Sequence, residues 1–435
     1  MPPETATRTS LSLDPTGAER EGLGAMASGL IGSEILKIAG DVRALKRSGK
    51  PMCDLTVGDF SPKEFRIPKA LEEAISRALA AGQTNYPPSD GILELRQAVQ
   101  ALYSRALGLE YPIEGVLIAG GARPVIWSVY RAVLDDGDRV VYPVPSWNNN
   151  HYAHLCGARG VPVAASAEDA FLPTAASLRD KVKGARLLAL TSPLNPAGTG
   201  FGREKLAAIA ELVVAENARR EKEGWKDRPL FLLYDHIYWM LAADDAPHFT
   251  PPALVPEVAP FTVFVDGISK SLASTGLRVG LAVGPPYVVS RLRDLLGHVG
   301  AWAPRPEQVA TAELLSKPGR AEELAHELRA GLLLRLNALH DGLSAMKKEG
   351  LPITALPPAG ALYLAARFDL VGKLGSNEAI RKLLLEKAGF AVVPFQAFGL
   401  AEDTGWFRLS VGAVSVEEIR QALPRVRATL REVAG

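Results

Sequence analysis

Cysteine is nearly absent from this chain. Cys53 and Cys156 are the only two in 435 residues. They are too few and too far apart for a disulfide framework or for the paired spacing of a zinc site. The expectation is two packed thiols in a reducing cytoplasm. An excess of one charge is missing too. Lys and Arg number 49 against 48 Asp and Glu, a formal net charge of +1. That balance argues against nucleic-acid or anionic-membrane partners, which select a basic footprint. No apolar run reaches the roughly 18–20 residues that a membrane-crossing helix needs. The opening residues, MPPETATRTSLSLDPTGAER, are polar and lack the apolar segment of a secretory signal. Residues 1–28 are expected to form a flexible or strapping tail. There is no internal repeat, and none of the seven histidines falls in a metal-ligand pattern.

What is present is an ordinary globular composition, with 47% apolar and 22% charged residues. The length exceeds one ordinary core and suggests two domains. Apolar residues at helical spacing predict helices over about 29–45 (Leu30, Ile31, Ile35, Leu36, Ile38, Ala39) and about 68–81 (Leu71, Ala74, Ile75, Ala78). The middle of the chain alternates. Continuous apolar runs at 116–121, 139–144, 186–192, 229–235 and 261–267 read as buried strands, with helices at 124–134 and 203–220 between them. This pattern predicts an α/β fold: a mostly parallel sheet, here expected to be seven-stranded, flanked by helices on both faces. Such sheets bind ligands at the carboxyl ends of their strands. From about residue 313 to 343 one long helix is expected, followed by short strands at 361–368, 390–395 and 406–411. These form a smaller α+β unit. The predicted division is a large domain over 76–324 and a discontinuous small domain over 29–75 and 325–435. The charged stretch 218–228 reads as a solvated helix end and loop.

Lys270 follows the apolar run 261–267, with small neighbours and Arg278 eight residues on. A lysine amine with a lowered pKa is a nucleophile for an aldehyde. An arginine fork suits a phosphate. Asp235 ends another apolar run, with Tyr238 three residues later. Taken alone, a strand-end Asp caps a turn. Gly121, Ala122 and Arg123 lie between a strand and a helix, where backbone amides at a helix start form an anion site. Asn195 opens a Pro/Gly loop, and Trp147 follows a Pro-rich turn.

Together, in this order, these segments resemble the class I/II aminotransferases of fold type I, an aspartate-aminotransferase-like group. The matches are Gly267-Ile-Ser-Lys270 with Gly276-Leu-Arg278-Val-Gly280, Asp235-His-Ile-Tyr238, Asn195-Pro-Ala-Gly198-Thr-Gly200, Pro143-Val-Pro-Ser-Trp147 and Arg408-Leu-Ser. With LTVGDF around Gly58 and the Tyr86 segment NYPPSDGILELRQAV, the matches run from about residue 55 to 412. Two positions depart from the pattern. Ser274 replaces a larger apolar residue, and Gly267 stands where some members carry a hydroxyl for the phosphate.

The resemblance implies pyridoxal 5'-phosphate held as a Schiff base on Lys270, which then serves as general base and acid. It implies that Asp235 pairs with the pyridine nitrogen, that Tyr238 and Asn195 contact the ring oxygen, and that Trp147 stacks on the ring. Gly121, Ala122, Arg123, Ser269 and Arg278 would hold the phosphate, joined by Tyr86 from the neighbouring subunit of a homodimer. Gly58, Trp147, Asn195 and Arg408 would bind substrate, with Arg408 on the α-carboxylate. The implied reaction is transfer of an amino group between an L-amino acid and a 2-oxo acid by a ping-pong route. Arg123 points to an acidic donor such as aspartate, glutamate or a prephenate-like acid, or else it only supports the phosphate turn. A C–S lyase on the same scaffold is one alternative. A non-catalytic cofactor-binding regulator is another, although the tail is too short and too neutral to be a DNA-binding domain.

Overall fold

The computed structural model describes residues 23–434 apart from 33, 48, 226 and 227. Most of the predicted tail therefore lies outside the described residues. The first strand, β1 (Cys53–Asp54), pairs with a distant short strand. The main sheet follows: β2 (Val116–Ala119), β3 (Arg139–Val144), β4 (Arg159–Ala164), β5 (Ala185–Thr191), β6 (Phe231–Asp235), β7 (Thr262–Gly267) and β8 (Gly280–Val283). Its order is β2-β8-β7-β6-β5-β3-β4, and only β8 runs antiparallel to its neighbours. A second, antiparallel sheet contains β9 (Ile353–Ala355), β10 (Tyr363–Phe368), β12 (Val393–Pro394) and β13 (Trp406–Ser410). The intervening β11 (Phe390–Ala391) is the partner of β1.

The central strands of the main sheet are apolar on both sides because both faces are covered. Val116 and Ile118, Leu188 and Leu190, Leu232 and Tyr234 enter one core. Their neighbours Leu117 and Ala119, Leu187 and Ala189, Phe231 and Leu233 enter another on the opposite face. Each buried Val, Leu, Ile or Phe side chain contributes about 1.5–3 kcal/mol on burial. A further core gathers Cys53, Leu55 and Phe60 with apolar residues from 332 onward. Helix Lys69–Ala80 runs unbroken, with Leu71 and Ala74 in the core beside the main sheet. Both cysteines are buried, and neither forms a disulfide. No helix among the described residues is long and apolar enough to cross a membrane.

Five predicted strands and the helices after β2 and β5 match the structure to within two residues. Two strands of the main sheet were not anticipated. β4 (RGVPVA) lies at the sheet edge with much of its surface exposed, and β8 is only four residues long.

Three expectations are corrected. The expected helix over 29–45 starts at Glu34 and runs to Arg47. Leu30 and Ile31 precede it and are exposed. The expected long helix over 313–343 is two helices, Arg305–Leu315 and Arg320–Lys348. Pro318 cannot continue the first, and Gly319 takes a left-handed φ of 79°. The charged stretch 218–228 is not wholly solvated. Arg220 is buried, paired with Glu216 at 2.8 Å and donating to the carbonyls of Val182, Ala185 and Arg228.

Glycine allows β8 to lie directly against the turn after β2. A Cβ on Gly280 of β8 would lie 2.2 Å from the Gly121 carbonyl carbon and 2.5 Å from the Ala122 nitrogen. Gly280→Ala is therefore expected to lower stability by about 1–3 kcal/mol in chemical denaturation. Gly276→Ala has open space around it and should leave stability unchanged. Equal stabilities would contradict this packing.

Candidate active site

One cavity opens at the carboxyl ends of β5, β6 and β7. Its lining brings together Asp235 and Tyr238 after β6, Ser269 and Lys270 after β7, and Arg278 ahead of β8. From other elements come Gly58, Ala122, Arg123, Trp147, Asn195 and Arg408. Tyr86 does not reach the cavity within this chain. Its exposed ring stands edge-on to Trp302, with centroids 5.2 Å apart.

The glycine turn after β2 is built by contact. Gly121 takes φ 104° and caps helix Ala122–Val133. Its own N–H donates to Ala119 O (2.7 Å). The next amides open the helix, where first-turn N–H groups have no intrahelical acceptor. Arg278 backs this turn. Its guanidinium fills the space of a Gly121 side chain and donates to Gly120 O (3.1 Å) and Thr275 O (2.8 Å). Arg278 itself has φ 57°, an unusual region for a non-glycine residue and one that clusters at functional sites. The Ser274 hydroxyl donates to Ile268 O (2.7 Å), closing the loop after Lys270.

Lys270 Nζ donates to Gly58 O (2.8 Å). Burial pulls its pKa down to about 8. Asp59 opposes the shift, while Arg408, Arg123 and Arg278 add to it. Asp235 is buried and accepts one bond from Ile237 N–H (3.2 Å). Burial pushes its pKa up to about 7, against the pull of that bond and of Lys270. Burial also raises the Tyr238 phenol well above its ordinary value, so it stays protonated.

Arg408 on β13 is almost fully buried. It donates to Asn195 Oδ1 (3.2 Å) and Thr56 O (2.7 Å), and its guanidinium lies 4.9 Å from the ring centroids of both Tyr363 and Phe398. Its Nε has no hydrogen-bond partner, and it has no carboxylate partner among the described residues. Such a cation is costly unless an anion arrives. Arg123 lies over Trp147 at 5.2 Å.

The run Asn148-Asn149-Asn150 after Trp147 has a division of labour. Asn148 adopts φ 57°, a conformation asparagine tolerates. Asn149 is buried, accepting from the Tyr130 hydroxyl (2.9 Å) and donating to Ser146 Oγ (3.0 Å). Asn150 is exposed. The loop Asn195–Gly198 presses on β10, because a Cβ on Gly198 would fall 2.0 Å from Tyr363 O.

Sequence reading missed Tyr363 and Asp59. The Tyr363 hydroxyl is 2.9 Å from that of Tyr238. Asp59 Oδ1 accepts from Thr275 Oγ1 (2.7 Å). The signal for Asp59 was its place beside Gly58. Tyr363 had none beyond opening an apolar strand.

The arrangement offers a nucleophilic amine, a buried carboxylate and anion-seeking cations in one space. Lys270 should be trapped by a small aldehyde and borohydride with a half-maximum near pH 8, read by peptide mass spectrometry against exposed lysines. Its folded pKa is depressed, so the reactive neutral amine persists to lower pH than in a free lysine. A half-maximum near 10.5, the ordinary lysine value, would sink this assignment.

A family profile described as aminotransferase class I and II matches residues 50–426. An aspartate aminotransferase of Rhizobium meliloti (strain 1021) is 31% identical over 406 residues, 91% of this chain and 93% of that protein. A probable aspartate/prephenate aminotransferase of Aquifex aeolicus (strain VF5) is 29% identical over 417 residues, 95% of this chain and 100% of that one. Among solved structures, an aspartate aminotransferase from Thermus thermophilus with maleate superposes with a TM-score of 0.83 at 28% identity, over 94% of this chain and 100% of that chain.

Proposed function

This chain belongs to the class I and II aminotransferases, and from that premise we propose which residues of the Lys270 cavity do the work and that the amino donor is acidic. It is a pyridoxal-phosphate-dependent transaminase of fold type I, passing an amino group between an amino acid and a 2-oxo acid. The observation that carries the site assignment is a buried amine with a lowered pKa, sharing one cavity with a buried carboxylate and a buried guanidinium that lacks a counter-charge.

The residues present fit the cofactor. The open helix start at Ala122 and Arg123, beyond Gly121 and backed by Arg278 with Ser269 nearby, suits a phosphate. Asp235 has a raised pKa and a single backbone donor, so it suits a protonated ring nitrogen. Trp147 suits the ring face, and Asn195 and Tyr238 suit its hydroxyl oxygen. Bound pyridoxal phosphate supplies an aldehyde for condensation with an amine and a protonated ring that withdraws electrons from the substrate Cα. Lys270 would hold its aldehyde through Nζ, and the same amine, when free, would take the substrate Cα proton. An amine titrating near pH 8 does this close to neutrality. Asp235, kept from water, holds the ring proton. Arg408 takes the substrate α-carboxylate as a paired contact, with Asn195 and Gly58 beside it. Tyr363 steadies Tyr238 through their shared hydrogen bond. Two half-reactions, one with the donor and one with the 2-oxo acid, follow from a single amine-accepting site.

The acidic preference is supported by Arg123, a second cation in the cavity besides those on the phosphate and the α-carboxylate. It is supported too by the binding of maleate, a dicarboxylate, to the Thermus relative. We assign a homodimer in which the exposed Tyr86 reaches the neighbour's phosphate. We place the enzyme in the cytoplasm, in keeping with two buried cysteines that form no disulfide.

Purified protein should show a visible cofactor band that individual amino acids convert to the amine form, and Lys270→Ala should abolish the conversion. Absence of the band after reconstitution would overturn the assignment. Pyruvate and ammonia released without an acceptor would indicate a lyase. Arg123→Gln should lower kcat/KM for dicarboxylic donors about 10–100-fold relative to monocarboxylic ones, the loss of one charge-assisted pair. An unchanged ratio would confine Arg123 to the phosphate turn.

A further inference from the structure

Behind the cavity, one carboxylate joins the two turns that carry the reacting groups. Asp266 is buried and does not line the cavity. Its Oδ1 accepts from Gly267 N–H (2.7 Å). Its Oδ2 accepts from the Trp239 indole Nε1–H (2.8 Å) and the Tyr103 hydroxyl (3.2 Å).

These donors come from three separate elements. Gly267 opens the short turn Ile268–Ser271, which carries Lys270. Trp239 directly follows Tyr238 and opens the turn Trp239–Leu241 after Asp235. Tyr103 lies on helix Leu93–Leu107. The titratable groups facing Asp266 are Tyr103, His236 with Nε2 at 3.8 Å, and Asp235. With its proton on Nε2, His236 donates to the Tyr103 oxygen (2.7 Å), leaving the Tyr103 proton for Asp266. All three groups are then satisfied.

The sheet does not provide this connection. The register of β6 with β7 ends at Asp235 opposite Val265. The last bond between them is His236 N–H to Val265 O (3.1 Å). Beyond it β7 pairs only with β8, at Asp266 opposite Leu281 and Gly267 opposite Gly280. Asp235 and Lys270 thus sit where β6 and β7 part, and the Trp239–Asp266 bond spans that gap.

We propose that Asp266 is a positioning residue for the transamination: it fixes Lys270 relative to Asp235 by pinning the strand-end turn of β6 to that of β7. The proposal rests on the assignment of Lys270 and Asp235 above. Asparagine is a poor substitute. Its amide would face either Gly267 N–H or the pair of donors from Trp239 and Tyr103, leaving a buried donor unsatisfied.

The test uses holoenzyme of the wild type, Asp266→Asn and Trp239→Phe. Each is titrated by visible absorbance against pH and assayed in the half-reaction with an amino donor. Asp266→Asn should move the midpoint of the cofactor band by about half a pH unit or more. It should lower kcat by about tenfold or more with KM little changed, as expected for misplacement rather than lost binding. Trp239→Phe removes one donor and should shift both quantities in the same direction by less. Variants that melt lower yet keep the wild-type midpoint and kcat would overturn the proposal and leave Asp266 a core residue. If Asp266→Asn does not fold, Trp239→Phe decides, and an unchanged midpoint and kcat there overturns it. A wild-type protein with no band on Lys270 would instead overturn the underlying assignment, which is a distinguishable result.

Discussion

Four cationic side chains, Lys270, Arg123, Arg278 and Arg408, line one cavity beside only two carboxylates, Asp59 and Asp235. Asp235 and Arg408 are buried, so unbalanced charge around them is expensive. None of the cations relaxes toward a partner of its own, because each is held by an element that the rest of the fold fixes. Arg408 hangs from β13 between Tyr363 and Phe398. Arg278 is locked to backbone carbonyls on both sides. Lys270 leans on a carbonyl rather than a carboxylate. The imbalance makes the cavity a receptor for a phosphate and for substrate carboxylates. It also lowers the Lys270 pKa, since three guanidinium charges reinforce the effect of burial.

Holding like charges together requires rigid walls, and backbone contact supplies them. The turn at Gly121 lies against Gly280, and the loop at Gly198 lies against Tyr363, each closer than a methyl group would permit. These contacts leave little room to slide. They set the helix start against Arg278 and set Asn195 against Arg408.

Much of this was legible in the sequence because the signals were local. Continuous apolar runs marked strands buried on both faces, and their last residues were the ones that mattered, Asp235 and Lys270 among them. What was not legible depended on partners far along the chain. Asp59 acquires its place only because Thr275 and Lys270 lie beside it in the fold. Tyr363 opens a strand of the second sheet, and nothing in its neighbours points to Tyr238, 125 positions away. Arg220 sat in a charged stretch that pattern alone assigns to solvent, yet Glu216 and three carbonyls enclose it. Edge strand β4 carries a glycine and a proline that weaken any strand signal. Leu30 and Ile31 fit a helical stripe, but they precede the helix and lie at the cavity.

The bond between Asn195 and Arg408 joins the two sheets, since Asn195 follows β5 and Arg408 lies on β13. No half of the chain contains a complete binding site. A ligand that engages both residues therefore binds only the assembled form and withholds its affinity from any state in which one sheet has loosened. Cofactor and substrate then act as thermodynamic mortar across the seam, coupling two cores that could otherwise open separately into a single cooperative unit.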